Sequence, residues 1–149
     1  MATVLKISDA ASLAMHTMAL LAMEPAEVVT THEIATDLKV SEAHLSKVLQ
    51  RLARAGLVKS VRGPQGGFKL EKRREQITLL EVYEAIEGRL ESSNCILGVR
   101  SCAGEQCILG VLLESINRQV RDYLVGTRLS ELNRVYRRKG DAEPANHPN

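Results

Sequence analysis

The stretch from Val40 to Leu70, V-S-E-A-H-L-S-K-V-L-Q-R-L-A-R-A-G-L-V-K-S-V-R-G-P-Q-G-G-F-K-L, decides the fold. Its first part has the period of a helix. Ser41 suits the N-cap, because its hydroxyl accepts from a first-turn backbone N–H that has no partner within the helix. Leu45, Val48, Leu49 and Leu52 then fall at i, i+3, i+4 and i+7, a single apolar stripe. His44, Lys47, Gln50, Arg51 and Arg54 occupy the opposite face. Ala55-Gly56 stops the helix, since Gly56 takes the left-handed conformation of a C-terminal cap at little cost. The period then shortens. Leu57 to Val61 suits a strand, Gly63-Pro64-Gln65-Gly66-Gly67 a turn, and Phe68-Lys69-Leu70 a returning strand. A helix followed at once by a basic hairpin is the winged form of the helix-turn-helix. The helix enters a DNA major groove, and the hairpin tip lies over the neighbouring backbone or minor groove.

Charge points the same way. Residues 39–74 carry ten Lys and Arg against Glu42 and Glu71, a net +8, whereas the whole chain of 149 residues is only +2. Positive charge is therefore gathered where DNA would sit, and the remainder is net acidic. The competing reading is a solvated helix beside an ordinary hairpin. Within the DNA reading, Ser41, Ala43, His44, Ser46 and Lys47 face the groove, with Arg51 near phosphates and Arg62 on the wing. Lys47 and Arg62 stand out as long cations able to donate to guanine edges or enter a narrow minor groove.

The pattern H-L-S-K-V-L-Q-R-L-x-x-A-G-L-V-x-S-x-R-G-P-x-G-G-F-x-L, followed by I-T-L-L-E-V-Y-E-A-I-E-G at 77–88, closely resembles the Rrf2 family of bacterial winged-helix transcription regulators. The resemblance spans residues 3–135 and is carried most specifically by the R-G-P-x-G-G wing. It implies a mainly α winged helix-turn-helix, a dimer, an operator in double-stranded DNA and, in cluster-binding members, an iron–sulfur cluster.

Working outward, residues 8–23 read as a first helix with Ser8 as N-cap and Asp9 in its first turn, where the helix dipole favours a carboxylate. Mid-helix His16 reads as packed or half-exposed rather than as a ligand. Thr30-Thr31-His32-Glu33 is a capping box opening a short helix to Leu38 that supports the recognition helix. Beyond the wing, Lys72-Arg73-Arg74 reads as flanking the DNA backbone, or simply as solvated charge. Thr78 caps a further helix with Leu79, Val82, Tyr83 and Ile86 inward, and Gly88 ends it. From Ile108 to Val125 a longer helix carries Leu109, Leu112, Leu113, Ile116, Val120, Tyr123 and Leu124 at mixed spacings of three and four. That stripe packs either within one subunit or, as the family resemblance implies, across a homodimer. Gly126 stops the helix, Thr127 caps a short one ending near Tyr136, and a polar tail expected to be disordered comes last. The organisation is thus a DNA-binding unit at 1–88, a cysteine loop at 89–107, dimerisation and terminal helices at 108–136, and the tail at 137–149.

The cysteine loop reads Cys95-I-L-G-V-R-S-Cys102-A-G-E-Q-Cys107. Three cysteines, an odd number without an export signal, favour free thiols or a metal site over disulfides. A Gly/Ser-rich loop can fold its backbone around a cluster and offer N–H donors to the sulfides, but the bare spacing, a weak pattern, by itself favours three unremarkable thiols. The resemblance favours the cluster. Its cluster-binding members use C-x5-C-x5-C; here the middle cysteine is displaced by one residue, and the choice between a two-iron and a four-iron cluster stays open. IscR-like members have a histidine three residues after the last cysteine, where this chain has Gly110. NsrR-like members use an aspartate of the partner subunit near the start of the first helix, the place of Asp9, with Glu105 as second candidate. IscR-like members also carry Glu-Gln where Ser46-Lys47 stand, so their operator does not transfer.

A length of 149 residues suits one domain, or one domain plus an appended helix, and with no export signal evident the expected compartment is the cytoplasm. Hydrophobic residues make up 44%, aromatics only 3% with no Trp, so the core is aliphatic. No apolar run reaches the roughly 18 residues a membrane span needs. The reading is a DNA-binding regulator, a repressor sensing redox state, iron or nitric oxide. The first alternative is a cluster-free regulator answering to a protein partner or small thiol. A thiol enzyme is disfavoured, since there is no C-x-x-C pair and no evident base beside a cysteine.

Overall fold

The computed structural model describes residues 7–91, 95–97, 102, 105–132 and 134–137. Helix α1 spans Asp9–Leu21 behind the Ser8 cap, whose Oγ accepts from Ala11 N at 3.1 Å. Helix α2 spans Thr31–Leu38 and opens with the predicted capping box: Glu33 N donates to Thr30 Oγ1 at 3.1 Å while Glu33 Oε2 accepts from Thr30 N at 2.9 Å. Lys39 caps α2 in the left-handed region, at φ 55°, unusual for a residue with a Cβ and here the means of turning the chain within three residues. Helix α3, Glu42–Arg54, starts from Ser41, whose Oγ accepts from His44 N at 3.2 Å.

Strands β1 (Val58–Val61) and β2 (Gly67–Leu70) form an antiparallel hairpin with Val58 opposite Leu70 and Val61 opposite Gly67. Helix α4 spans Leu79–Glu87 behind the Thr78 capping box and ends at Gly88, φ 80°. Helix α5 spans Leu112–Gly126. The core lies among α1, α3 and α4, where Met18, Leu21, Ile34, Leu45, Leu49, Leu52 and Ile77 are fully buried. It is aliphatic, as the scarcity of aromatics requires. No helix among the described residues is long and apolar enough to cross a membrane.

Two backbone bridges tie the periphery down. Val29 and Phe68 exchange hydrogen bonds, N to O at 2.9 and 2.8 Å, so the connection between α1 and α2 pairs with β2 as a one-residue third strand. Thr78 and Arg128 form another: Leu79 N donates to Thr127 O and Leu129 N to Ile77 O, both at 3.0 Å.

The last third departs from expectation in two places. The long helix begins at Leu112, not Ile108, because Gly110 sits at φ 54° and the residues before it form turns, Gly110 N donating to Cys107 O at 3.0 Å. Thr127 does not cap a further helix. It is the C-cap of α5, and the next element is a single 3-10 turn, Leu129–Leu132, with Glu131 Oε2 accepting from Arg128 N at 2.6 Å. The tail beyond Arg137, expected to be disordered, and the loop segments 92–94, 98–101 and 103–104 lie outside the described residues.

Candidate nucleic-acid interface and cysteine loop

Burial of Leu45, Val48, Leu49 and Leu52 fixes how α3 is rotated. Ala43, His44, Lys47 and Arg51 consequently face solvent, as does Ser41, while Ser46 is half-buried. Glu42, the one acid of α3, is drawn aside: its Oε1 lies 2.7 Å from His32 Nδ1 of α2. The exposed face of α3 is left cationic and polar.

The cations of residues 39–74 divide into two sets. Lys59 pairs with Glu71 at 3.8 Å, Lys72 with Glu81 at 3.2 Å, and Arg73 and Arg74 with Glu75 at 3.6 and 3.3 Å. Lys39, Lys47, Arg51, Arg54, Arg62 and Lys69 face no carboxylate within salt-bridge distance among the described residues. The unpaired set lies on the α2–α3 turn, α3 and the wing. Arg74 corrects the reading of Lys72-Arg73-Arg74 as a phosphate-flanking run: half-buried, it donates from Nη1 to Ala22 O at 2.9 Å, closing the C-terminal end of α1. Partial burial pushes the Glu81 carboxyl up, yet the hydrogen bonds from Thr78 N–H and Lys72 outweigh it and hold the group below the ordinary range.

The wing owes its shape to two glycines. Gly63 sits at φ 115°, a region side-chain-bearing residues avoid, and its carbonyl accepts from Gly66 N at 2.9 Å to close the tip around Pro64-Gln65. At Gly67 a Cβ would collide with the carbonyl of Val29, the residue whose bridge to Phe68 seats the hairpin on the head. Arg62 is thereby carried on a braced arm, exposed at the tip side of β1. Neither Val29 nor the Lys39, Arg54 and Lys69 cations stood out as site residues in the sequence. The β-branched Val28-Val29 pair ahead of Thr30 was the available signal for the bridge.

In the cysteine loop, Cys95 is half-buried and Cys102 and Cys107 are exposed, none of them in a disulfide. Their chemistry suits iron, three soft sulfur donors within thirteen residues of chain. Among the described residues, however, no three His, Cys, Asp or Glu side chains come together as a metal site. Glu105 is exposed beside the last cysteine. Asp9 is exposed in the first turn of α1, beside the Ser8 hydroxyl that donates to Glu87 Oε1 at the end of α4, the root of the loop. Its surroundings are an open groove of about 510 Å³ shared with His16, Asp37, His44 and Tyr136. His16 is exposed, hydrogen-bonded through Nδ1 to Ser12 O at 2.7 Å, and meets the Tyr136 ring edge-on at 6.3 Å.

Three comparisons bear on this arrangement. A family model, Rrf2, described as an iron-dependent transcriptional regulator, matches residues 7–134. The HTH-type transcriptional regulator IscR of Cereibacter sphaeroides is 33% identical over 122 residues, covering 80% of this chain and 79% of its own. Among solved structures, CymR, the global cysteine regulator of B. subtilis, superposes with a TM-score of 0.76 at 28% identity over 89% of this chain and 99% of its own. T. potens IscR does so with a TM-score of 0.70 at 25% identity over 89% of each. With its winged helix-turn-helix, its braced R-G-P-x-G-G hairpin and this match over nearly the whole described length, the chain belongs to the Rrf2 family of transcriptional regulators.

Proposed function

We propose that this chain is a homodimeric, sequence-specific DNA-binding repressor whose operator affinity follows the state of an iron–sulfur cluster. The observation that carries the DNA reading is the segregation of cations: those without an acidic partner lie on the α2–α3 turn, α3 and the wing. In this reading Lys47, His44 and the Ser41, Ala43 and Ser46 positions meet base edges, Arg51 meets phosphate, and Arg62 reaches the flanking backbone or minor groove. Exposed Leu112 and Tyr123 on α5, with Val111 just before it, supply the apolar seam for a second copy. An operator-binding protein of this kind works in the cytoplasm.

Cys95, Cys102 and Cys107 would hold the cluster, with Asp9 of the partner subunit as fourth ligand and Glu105 next in line. A bound cluster supplies an iron centre reactive toward oxygen, nitric oxide or changing iron supply. The chain's own part is to place three thiols directly ahead of α5, so that the geometry of the loop bears on the start of that helix. Anaerobic purification followed by an absorption spectrum, iron and sulfide analysis, and operator titration of the loaded and stripped forms tests the reading. Visible absorbance with stoichiometric iron and sulfide, and a changed affinity on stripping, is the expected result.

A second reading draws on the likeness to the global cysteine regulator. Here the exposed Cys102 and Cys107 thiols respond to a small thiol or a protein partner, and no cluster is involved. A colourless anaerobic preparation whose operator affinity responds to thiol oxidation would favour it.

A further inference from the structure

In the DNA reading, the N-terminal end of α3 carries a charge of the wrong sign. A carboxylate in the first turn of a helix is favoured by the helix dipole, and Glu42 fills that place in α3. The same turn of a recognition helix is the part that meets base edges between two phosphate backbones. Glu42 stands there between Ser41 and the exposed Ala43 and His44. What stabilises the helix therefore works against its approach to a polyanion. His32 answers this conflict from another element. It lies in the first turn of α2, and its Nδ1 is 2.7 Å from Glu42 Oε1. A carboxylate only accepts, so Nδ1 carries the proton, whether the ring is the imidazolium or the neutral δ tautomer. The Lys39 turn brings the two first turns together across ten residues of sequence, with Val40 N donating to Ala35 O at 3.0 Å.

We infer that His32 is a positioning residue for DNA binding: its hydrogen bond draws the Glu42 carboxylate toward α2 and away from the groove-facing side of α3. This role rests on the DNA reading proposed above and deepens it. The two side chains are 78% and 55% exposed, so the pair adds little to the stability of the fold. Its consequence is directional instead. Held by His32, the carboxylate is turned to the neighbouring helix and its charge is partly satisfied. Released, it stands one helical turn from Ser46 on the same side of α3, free to swing toward the phosphates that Lys47 and Arg51 are placed to meet. Like charges brought together at an interface weaken association, so release of Glu42 lowers the affinity that the cations supply. His32 thereby lets α3 keep the acid that stabilises its first turn without presenting that acid to DNA.

The test is a double-mutant cycle on the full chain, read by fluorescence anisotropy with a duplex carrying the site that the parent protein selects from random-sequence DNA. His32→Ala is expected to bind about tenfold more weakly, between the effects of one like-charge pair in bulk water and near a protein surface. Glu42→Gln should bind at least as tightly as the parent. His32→Ala/Glu42→Gln should match Glu42→Gln within about twofold, because no charge is left to hold aside. Recovery in the double variant separates loss of positioning from loss of fold. The His32→Ala deficit should also narrow as salt rises from about 50 to about 200 mM, which a packing defect would not do. Unchanged affinity in His32→Ala, or a deficit that persists in the double variant, overturns the inference. Loss of binding in Glu42→Gln alone also overturns it, since Glu42 would then itself read a base. Lys47→Glu, titrated alongside, keeps the two levels apart. If it binds like the parent, or if the parent selects no site, the DNA reading falls and this role with it; if it fails beside an unaffected His32→Ala, only the role of His32 is removed.

Discussion

At the scale of single residues, the two most informative positions are Lys47 and Arg62, because rotation of α3 and bracing of the wing leave both exposed and unpaired among the described residues. Lys47→Glu places a negative charge against the groove and should abolish specific binding. Arg62→Ala should weaken binding and lower the salt slope by about 0.9 if one phosphate contact is lost. Fluorescence titration against an operator at several salt concentrations reads both, and unchanged affinity in the pair would move the interface elsewhere. The thiols make a separate prediction. Cys95→Ala, Cys102→Ala and Cys107→Ala should each give a folded protein without visible absorbance, whereas Asp9→Ala should form a cluster that decays faster in air. The first-turn carboxylate of Asp9 contributes at most about 1 kcal/mol to its helix, too little for misfolding to mimic that result. An Asp9→Ala cluster with unchanged lifetime would pass the ligand role to Glu105.

At the scale of elements, capping chemistry was the most legible feature of the sequence. Ser8, Thr30, Ser41 and Thr78 each accept from the backbone N–H three residues on, where their spacing to the adjoining apolar run had put them. Such signals are local, and local chemistry survives folding. The features hidden in the sequence are non-local. Arg74 reads as solvated charge because its partner, the Ala22 carbonyl, lies 52 residues away. The Val29–Phe68 and Thr78–Arg128 bridges are single rungs with no period to betray them. The start of α5 was misplaced because the apolar stripe runs through Gly110, whose left-handed backbone breaks the helix that the stripe suggests. The cysteine spacing was legible as a pattern, but among the described residues no three donors come together as a metal site. One element also carries a pH dependence. With the folded Glu81 carboxyl held below its ordinary pKa of about 4.3, its stabilising effect is full above that value and disappears as pH falls through the depressed one. Glu81→Gln should cost under about 1 kcal/mol at neutral pH, the pair being substantially solvated. Acid unfolding of the variant and the parent should converge once pH falls below the depressed pKa of Glu81, and a deficit persisting there would show that packing rather than charge was lost.

For the whole molecule, the decisive test is assembly. Leu112 is 54% exposed and Tyr123 62% exposed on a helix where Leu113 and Leu124 are buried. Leu112→Arg therefore costs an isolated chain little, but puts an unpaired charge into any seam formed with a second copy. Sedimentation should show a folded monomer, and operator affinity should collapse because two half-sites are no longer held together. A dimeric variant with normal affinity would place the seam on another surface.

The Thr78–Arg128 rung has a mechanical consequence. Between those residues the chain leaves the head, passes through α4, the cysteine loop and α5, and returns to its starting point. The excursion is stitched at its base, so α5 is fixed most firmly at its Gly126 end and receives the loop at its Leu112 end. Fifteen helical residues make an arm of roughly 22 Å. On such an arm, a displacement of about 2 Å beside Cys107 swings the axis by about 5° around the stitch. In the proposed dimer, the two arms would turn in opposite senses across the two-fold axis, and a small rearrangement of the three thiols would then change the distance between two recognition helices.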